Sequence, residues 1–404
     1  MKTIPHKTER LHALDSLRAI MMMLGLVLHS VITYIGGEPY SAWPIRDPNN
    51  FNINLELINS TIHIFRMPIF MVVAGFFAAL LFYDRGASKM FKNRMNRILL
   101  PFLVFVIILF PLVMGGMNYT LKVFDGNVNA FSEVLTTFSS LSDFIPLRTM
   151  HLWFLYYLIM FSIASYLLGL LFQKTPKVSQ FTHKIFHSVF QSPFLRLIVF
   201  TAITVFLLVY MDRSWVATST SFMPDFNTFI FYFFFYMFGW LLFKSKSLLG
   251  TFKRFDWFFT ILAFVAYIWY FYSGYEVLDP FSIKVVKASC CWLLIFGVTG
   301  LFLRYGSNHS ARMRYVSDSS YWVYLLHLPL TIIIPALIVD WDIPGTLKFI
   351  FVMTTTAVIC FVTYHYFVRN SFIGKFLNGR TYPRQISEIR KAHEAEQLKV
   401  QFDK

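Results

Sequence analysis

Residues 13–34 read ALDSLRAIMMMLGLVLHSVITY. A helix of that length rises about 33 Å at 1.5 Å per residue, enough to cross the ~30 Å hydrocarbon layer of a bilayer. The stretch does not read as a cleavable leader, because Asp15, Arg18 and His29 lie inside it and no small-residue cleavage motif follows. Comparable apolar runs recur at 57–82, 98–116, 152–172, 194–211, 226–243, 257–272, 285–303, 321–338 and 347–368. With the first run they make ten, and the run at 257–272 is the shortest. The whole chain is 404 residues long, 56% hydrophobic and 19% aromatic, with a mean hydropathy of +0.56. One soluble core of this size could not hide so much apolar surface, whereas a bilayer solvates it directly. The expectation is an all-α polytopic membrane protein, a bundle of about ten transmembrane helices.

The net charge of +15 gains meaning from its placement. Basic residues crowd alternate connections: Lys2, Lys7 and Arg10, then Arg85, Lys89, Lys92, Arg94 and Arg97, then Lys174, Lys177 and Lys184. The pattern continues at Lys244, Lys246, Lys253 and Arg254 and at Arg304, Arg312 and Arg314, while the intervening connections hold few cations. By the positive-inside rule the N-terminus is cytoplasmic, and an even span count returns the C-terminus to the same side, an N-in/C-in topology in the inner (cytoplasmic) membrane. Residues 1–12 then form a cytoplasmic N-terminus, 13–369 the transmembrane domain and 370–404 a cytoplasmic tail, with 380–404 reading as a short charged helix or as disorder. Cations that flank membrane spans and form no domain of their own exclude nucleic acid as a partner. Cys290, Cys291 and Cys360 all fall in spans without CxxC spacing, so they read as packing residues, and no metal site is expected. Two connections, 35–56 and 117–151, are long enough to cap a cavity.

Ionisable groups inside spans are costly, so each is a functional candidate. Arg18 and His29 are eleven residues apart, which puts them within about 20° on one helix face and about 16 Å apart along the axis. Asp15 lies one turn before Arg18 and pairs with it on this reading. His29 either hydrogen-bonds a neighbouring helix or works as a base near neutrality. The second span carries His63 and Arg66 one turn apart, with Pro68 and Gly75 beyond them for close packing. Arg66 has two readings: recognition of an anionic or hydroxyl-rich group, or a hold on Glu56 or a lipid phosphate. Arg94 and Arg97, one turn apart at the mouth of the third span, offer forked donors of the kind that match phosphate oxygens. His151 and Trp153 open the fourth span, and Tyr321, Tyr324 and His327 sit one turn apart in the ninth, just before Pro329. A base beside a broken helix lines a cavity more often than it faces lipid. His365 has no such company and reads as structural.

Several stretches together, LDSLRAI…LVLH, the pair Arg94 and Arg97, FRMPIFMVVAGFF, HLWFLYYL and YWVYLLHLPL, make the chain resemble acyltransferase family 3, over nearly the whole span region from Leu14 to about His365. That resemblance implies ten spans with cytoplasmic ends and transfer of an acyl group from cytoplasmic acyl-CoA to a hydroxyl outside the membrane, on a carbohydrate such as a periplasmic glucan. It implies His29 as the essential histidine and Arg18, Arg94 and Arg97 as functional arginines. Succinyl-CoA and acetyl-CoA are the donors it implies, with no metal. His63, Arg66, His151, Trp153, Tyr324 and His327 are then expected on the substrate side. Ala74 stands where the family's second-span SGF stretch has a serine. Arg94 and Arg97 would hold the charged end of coenzyme A while its arm threads past Arg18 towards His29, and the ~16 Å between them suits that arm. His29 would then act as general base or carry the acyl group itself. A proton-coupled transporter or flippase of a saccharide or lipid-linked substrate is the rival reading. No inverted repeat supports it. Oligomeric state is left open.

Overall fold

The computed structural model describes residues 11–308, 310–383, 385 and 387. The cations at Lys2, Lys7 and Arg10, and residues 388–404 of the tail, lie outside the described residues. Among the described residues there is no strand, and ten helices are long and apolar enough to cross a membrane. They are α1 His12–Tyr34, α2 Asn54–Arg85, α3 Ala87–Phe124, α4 Met150–Lys174, α5 Pro193–Tyr210, α6 Phe226–Lys244, α7 Asp256–Val277, α8 Pro280–Tyr305, α9 Ala311–Leu337 and α10 Gly345–Val368. All ten expected spans are present. The seventh, which reads as the shortest in sequence, extends through a π-turn at Tyr270–Gly274 to full length. α3 is longer than its apolar run because the basic segment before it is also helical and joins it through a π-turn at Met95–Leu99.

α2 is the most enclosed helix, and α1 packs against α2, α8, α9 and α10. α5, α7 and α10 sit at the periphery and turn residues such as Phe206, Val265 and Val358 outward. Large apolar side chains on an outer surface are what a helix in hydrocarbon requires. α2 and α6 approach each other closely. A Cβ on Gly75 would strike the carbonyl oxygen of Tyr236, and one on Gly239 would strike that of Val72, so the two backbones meet where only glycine fits.

Several charges are neutralised locally by an opposite one. Arg304 pairs with Asp256 at 2.6 Å across the α7–α8 hairpin, and Arg314 with Asp318 at 2.8 Å. Asp47 in the α1–α2 connection pairs with Lys348 of α10 at 3.0 Å, and both side chains are fully buried. The three cysteines are free and buried. Among the described residues, three α-helices outside the spans escape a hydropathy reading, Phe372–Asn378 among them. Pro176–Gln191 is amphipathic, and Ala130–Thr137 is short and lies in the α3–α4 connection.

Candidate active site

α1 is continuous helix from His12 to Val31, so Arg18 and His29 do share one face, three turns apart. His29 opens into a narrow cleft that is lined also by Arg66, His151, Trp153, Tyr324 and His327, with Met21, Met22, Met67, Phe70 and Phe154. Six of the ten residues expected at the site therefore meet in one place. They come from α1, α2, α4 and α9, helices far apart in sequence.

His327 lies at the centre of three imidazoles, with ring centroids 5.3 Å from His29 and 5.5 Å from His151. Backbone chemistry sets the tautomers. His327 Nδ1 is 3.0 Å from the carbonyl of Val323, which only accepts, so Nδ1 donates and Nε2 keeps its lone pair. Pro329 has no N–H to give the carbonyl of Leu325 one turn back, and His151 Nε2 donates to that carbonyl instead, at 3.3 Å. The His151 lone pair is then on Nδ1. Tyr324 donates its hydroxyl to the His151 carbonyl at 2.7 Å and fixes the start of α4 against α9.

Arg66 needs room on α1, and Gly25 supplies it. A Cβ on Gly25 would strike the guanidinium and would lie 3.9 Å from His327 Nε2. Four buried polar atoms in this one cleft have no hydrogen-bond partner: His29 Nδ1, Arg66 Nε, His151 Nδ1 and His327 Nε2. Clustered in this way, these groups are available to a polar ligand. Imidazole lone pairs and one guanidinium, with no carboxylate among the lining residues, suit hydroxyl groups and a developing oxyanion. Among the described residues no group of three His, Cys, Asp or Glu could hold a metal.

The other four expected residues lie elsewhere. His63 is one turn from Arg66 on α2, outside the lining of the cleft. Arg18 sits towards the end of the bundle where α1 begins, paired with Asp15 at 3.3 Å and stacked over Phe77. Arg94 is on the same side, donating to the carbonyl of Ala74 at 3.4 Å, with its Nε unpartnered. Arg97 donates to the carbonyls of Lys375 and Phe376, 3.0 and 3.2 Å away, and caps the C-terminal end of the helix Phe372–Asn378. His365 meets Tyr315 at 3.3 Å far from the cleft, in keeping with a structural part.

Sequence reasoning missed Gly25, the methionine and phenylalanine wall, and above all Trp43. The Trp43 indole stacks on His29 with centroids 5.4 Å apart and planes inclined by 29°. A tryptophan within a polar connection is the single hint, and no periodicity ties it to α1.

The family model described as an acyltransferase domain matches residues 11–365. The chain belongs to acyltransferase family 3. It is a multi-pass membrane acyltransferase. Curated relatives named glucans biosynthesis protein C are similar along nearly their whole length. The one from Escherichia coli strain UTI89 is 25% identical over 387 residues, and that from E. coli O157:H7 strain EC4115 is 26% identical over 386 residues. Both alignments cover 93% of this chain and 96% of the relative. No solved structure matches the chain.

Proposed function

We propose that this family 3 acyltransferase moves an acyl group from cytoplasmic acyl-CoA to a hydroxyl of a carbohydrate on the far side of the inner membrane, such as a periplasmic glucan. The observation that carries the proposal is the cleft in which His29, His327, His151 and Arg66 converge, three helical turns from Arg18 on the same face of α1. The end of the bundle bearing Arg18, Arg94 and Arg97 faces the cytoplasm, in accord with its excess of cations. There Arg18 and Arg94 meet the phosphates of coenzyme A, and Arg97 holds the segment after α10 beside them. The pantetheine arm extends along α1 past the methionine wall and presents the thioester to His29.

His29 accepts the proton of the acceptor hydroxyl as its oxygen attacks the thioester carbon. The Arg66 guanidinium, over Gly25, faces the oxyanion that forms. The tetrahedral intermediate collapses with loss of the C–S bond, and the proton on His29 passes to the departing thiolate. The products are the ester and free coenzyme A. Lone pairs on His327 Nε2 and His151 Nδ1 accept from hydroxyls of the sugar and orient it.

The test is direct. The purified protein in detergent or nanodiscs, given succinyl-CoA or acetyl-CoA and a periplasmic glucan fraction, is expected to release coenzyme A and to produce acylated glucan detectable by mass spectrometry. Release of no coenzyme A with any short acyl-CoA, by a folded preparation, would sink the reading.

A further inference from the structure

The connection between α1 and α2 is tied to the bundle by groups that a surface loop does not need. Lys348, on the first turn of α10, is wholly buried and donates to Asp47 at 3.0 Å and to the carbonyl of Val339 at 2.8 Å. The other Asp47 oxygen accepts the backbone N–H groups of Asn49 and Asn50, each at 2.9 Å. Asn52 adds a bond to Thr346, 3.2 Å away, on the same helix end. Closer to α1, Trp43 donates from its indole to Thr33 at 3.2 Å, and the Asp47 N–H bonds to the Thr33 carbonyl at 3.0 Å. Arg46 donates to the carbonyl of Ile32. Tyr40 donates to Glu56 at 3.2 Å, and burial, helped by the neighbouring Glu56, pushes its hydroxyl up to about 12, so it remains a donor at ordinary pH.

A buried ion pair is a poor way to gain stability, because desolvating two charges offsets their attraction. In some proteins such a pair serves instead to fix a single register. Here the register leaves the Trp43 ring, only 4% exposed, stacked on His29. We propose that Lys348, acting through Asp47, is a positioning residue that locks residues 35–53 over the site so that Trp43 orients His29 and shields it from bulk water. This rests on His29 being the base, and it adds a residue of the last span, more than 300 positions away, to the machinery. Trp43 fixes the plane of the imidazole while the α1 backbone fixes its depth.

The experiment reads His29 itself, independently of transfer. Diethyl pyrocarbonate acylates an accessible, unprotonated imidazole, and mass spectrometry of the digested full-length protein gives a rate for each histidine. Trp43→Ala and Lys348→Met are each expected to raise the His29 rate about tenfold, as a local opening does, with His365 and His187 unchanged. Trp43→Phe, which keeps an aromatic ring over the imidazole, is expected to keep protection. With an active donor–acceptor pair, the same two opening variants lower kcat and leave the KM for acyl-CoA unchanged. Wild-type protection of His29 in a folded Trp43→Ala or Lys348→Met protein overturns the proposal, and so does a rise shared by every histidine. Should Lys348→Met fail to fold, Asp47→Asn carries the same expectation and Trp43→Ala decides the matter. A preparation that transfers nothing refutes the proposed reaction, while the modification rates still decide the latch.

Discussion

At the scale of single residues, the chemistry of the cleft follows from where protons must sit. The Val323 carbonyl takes the Nδ1 hydrogen of His327, and the Leu325 carbonyl, left free by Pro329, takes the Nε2 hydrogen of His151. Each ring then has one lone pair with no protein partner. On this account His29→Ala loses at least ~10²-fold in transfer if the imidazole is the base, with acyl-CoA binding retained, whereas His365→Ala stays near wild type. Coenzyme A release by the purified variants checks both. His327→Phe keeps a ring in place but removes the lone pair. Loss of a hydrogen bond to a polarised hydroxyl, about 1.5–3 kcal/mol, slows transfer by roughly 10–10²-fold, read as kcat/KM for the acceptor. Unchanged acceptor kinetics in a folded His327→Phe enzyme would remove that residue from acceptor binding. The residues that meet here were legible in sequence because ionisable groups are rare in spans and stand out. Gly25 and Trp43 were not, since one acts by the space it leaves and the other from a connection whose path is set by tertiary contacts.

The ten spans were legible because the hydropathy of each is a local property, written in one run of about 16 to 26 consecutive side chains. Their ends were less so. The basic stretch that opens α3 and the helix Pro176–Gln191 are amphipathic, and an amphipathic segment has no apolar run to find. Packing partners were hidden as well, apart from the hint in Gly75. Its counterpart Gly239, 164 positions later, is identified by the carbonyl contacts of both glycines across α2 and α6. Gly239→Val therefore forces two backbones apart, and an overpacking cost of at least ~1–3 kcal/mol is expected. Thermal unfolding in detergent will show it as a lowered Tm, while an unchanged Tm would mean the helices separate freely. On the proposed reaction, the segment that begins α3 binds the donor. Replacing Arg94 and Arg97 with alanine weakens acyl-CoA affinity, by about 1.5–3 kcal/mol for each charge-assisted bond to phosphate that is lost. The loss shrinks as salt is raised. Because Arg97 also caps the helix Phe372–Asn378, Arg94→Ala alone is the cleaner variant, and wild-type affinity there would exclude Arg94 from the donor site.

Across the whole molecule, the account joins two faces of a membrane through one helix. Arg18 and Arg94 lie at the end where α1 begins, and the histidine cleft lies about 16 Å further along the same helix. An even number of spans returns the described chain to the face on which it starts. Reporters fused after Arg97 and after Arg254 should therefore report cytoplasm, and those inserted near Asp47 and Asn127 the periplasm. On the proposed reaction, that arrangement keeps donor and acceptor in separate compartments. Proteoliposomes test this claim most directly, with the enzyme oriented by protease trimming, labelled acyl-CoA added on the side of Arg94 and glucan sealed on the other. The account predicts labelled glucan inside, tight vesicles throughout, and at least ~10²-fold less label with His29→Ala. Label that appears only when donor and acceptor share one side, or that persists undiminished in His29→Ala, would contradict it.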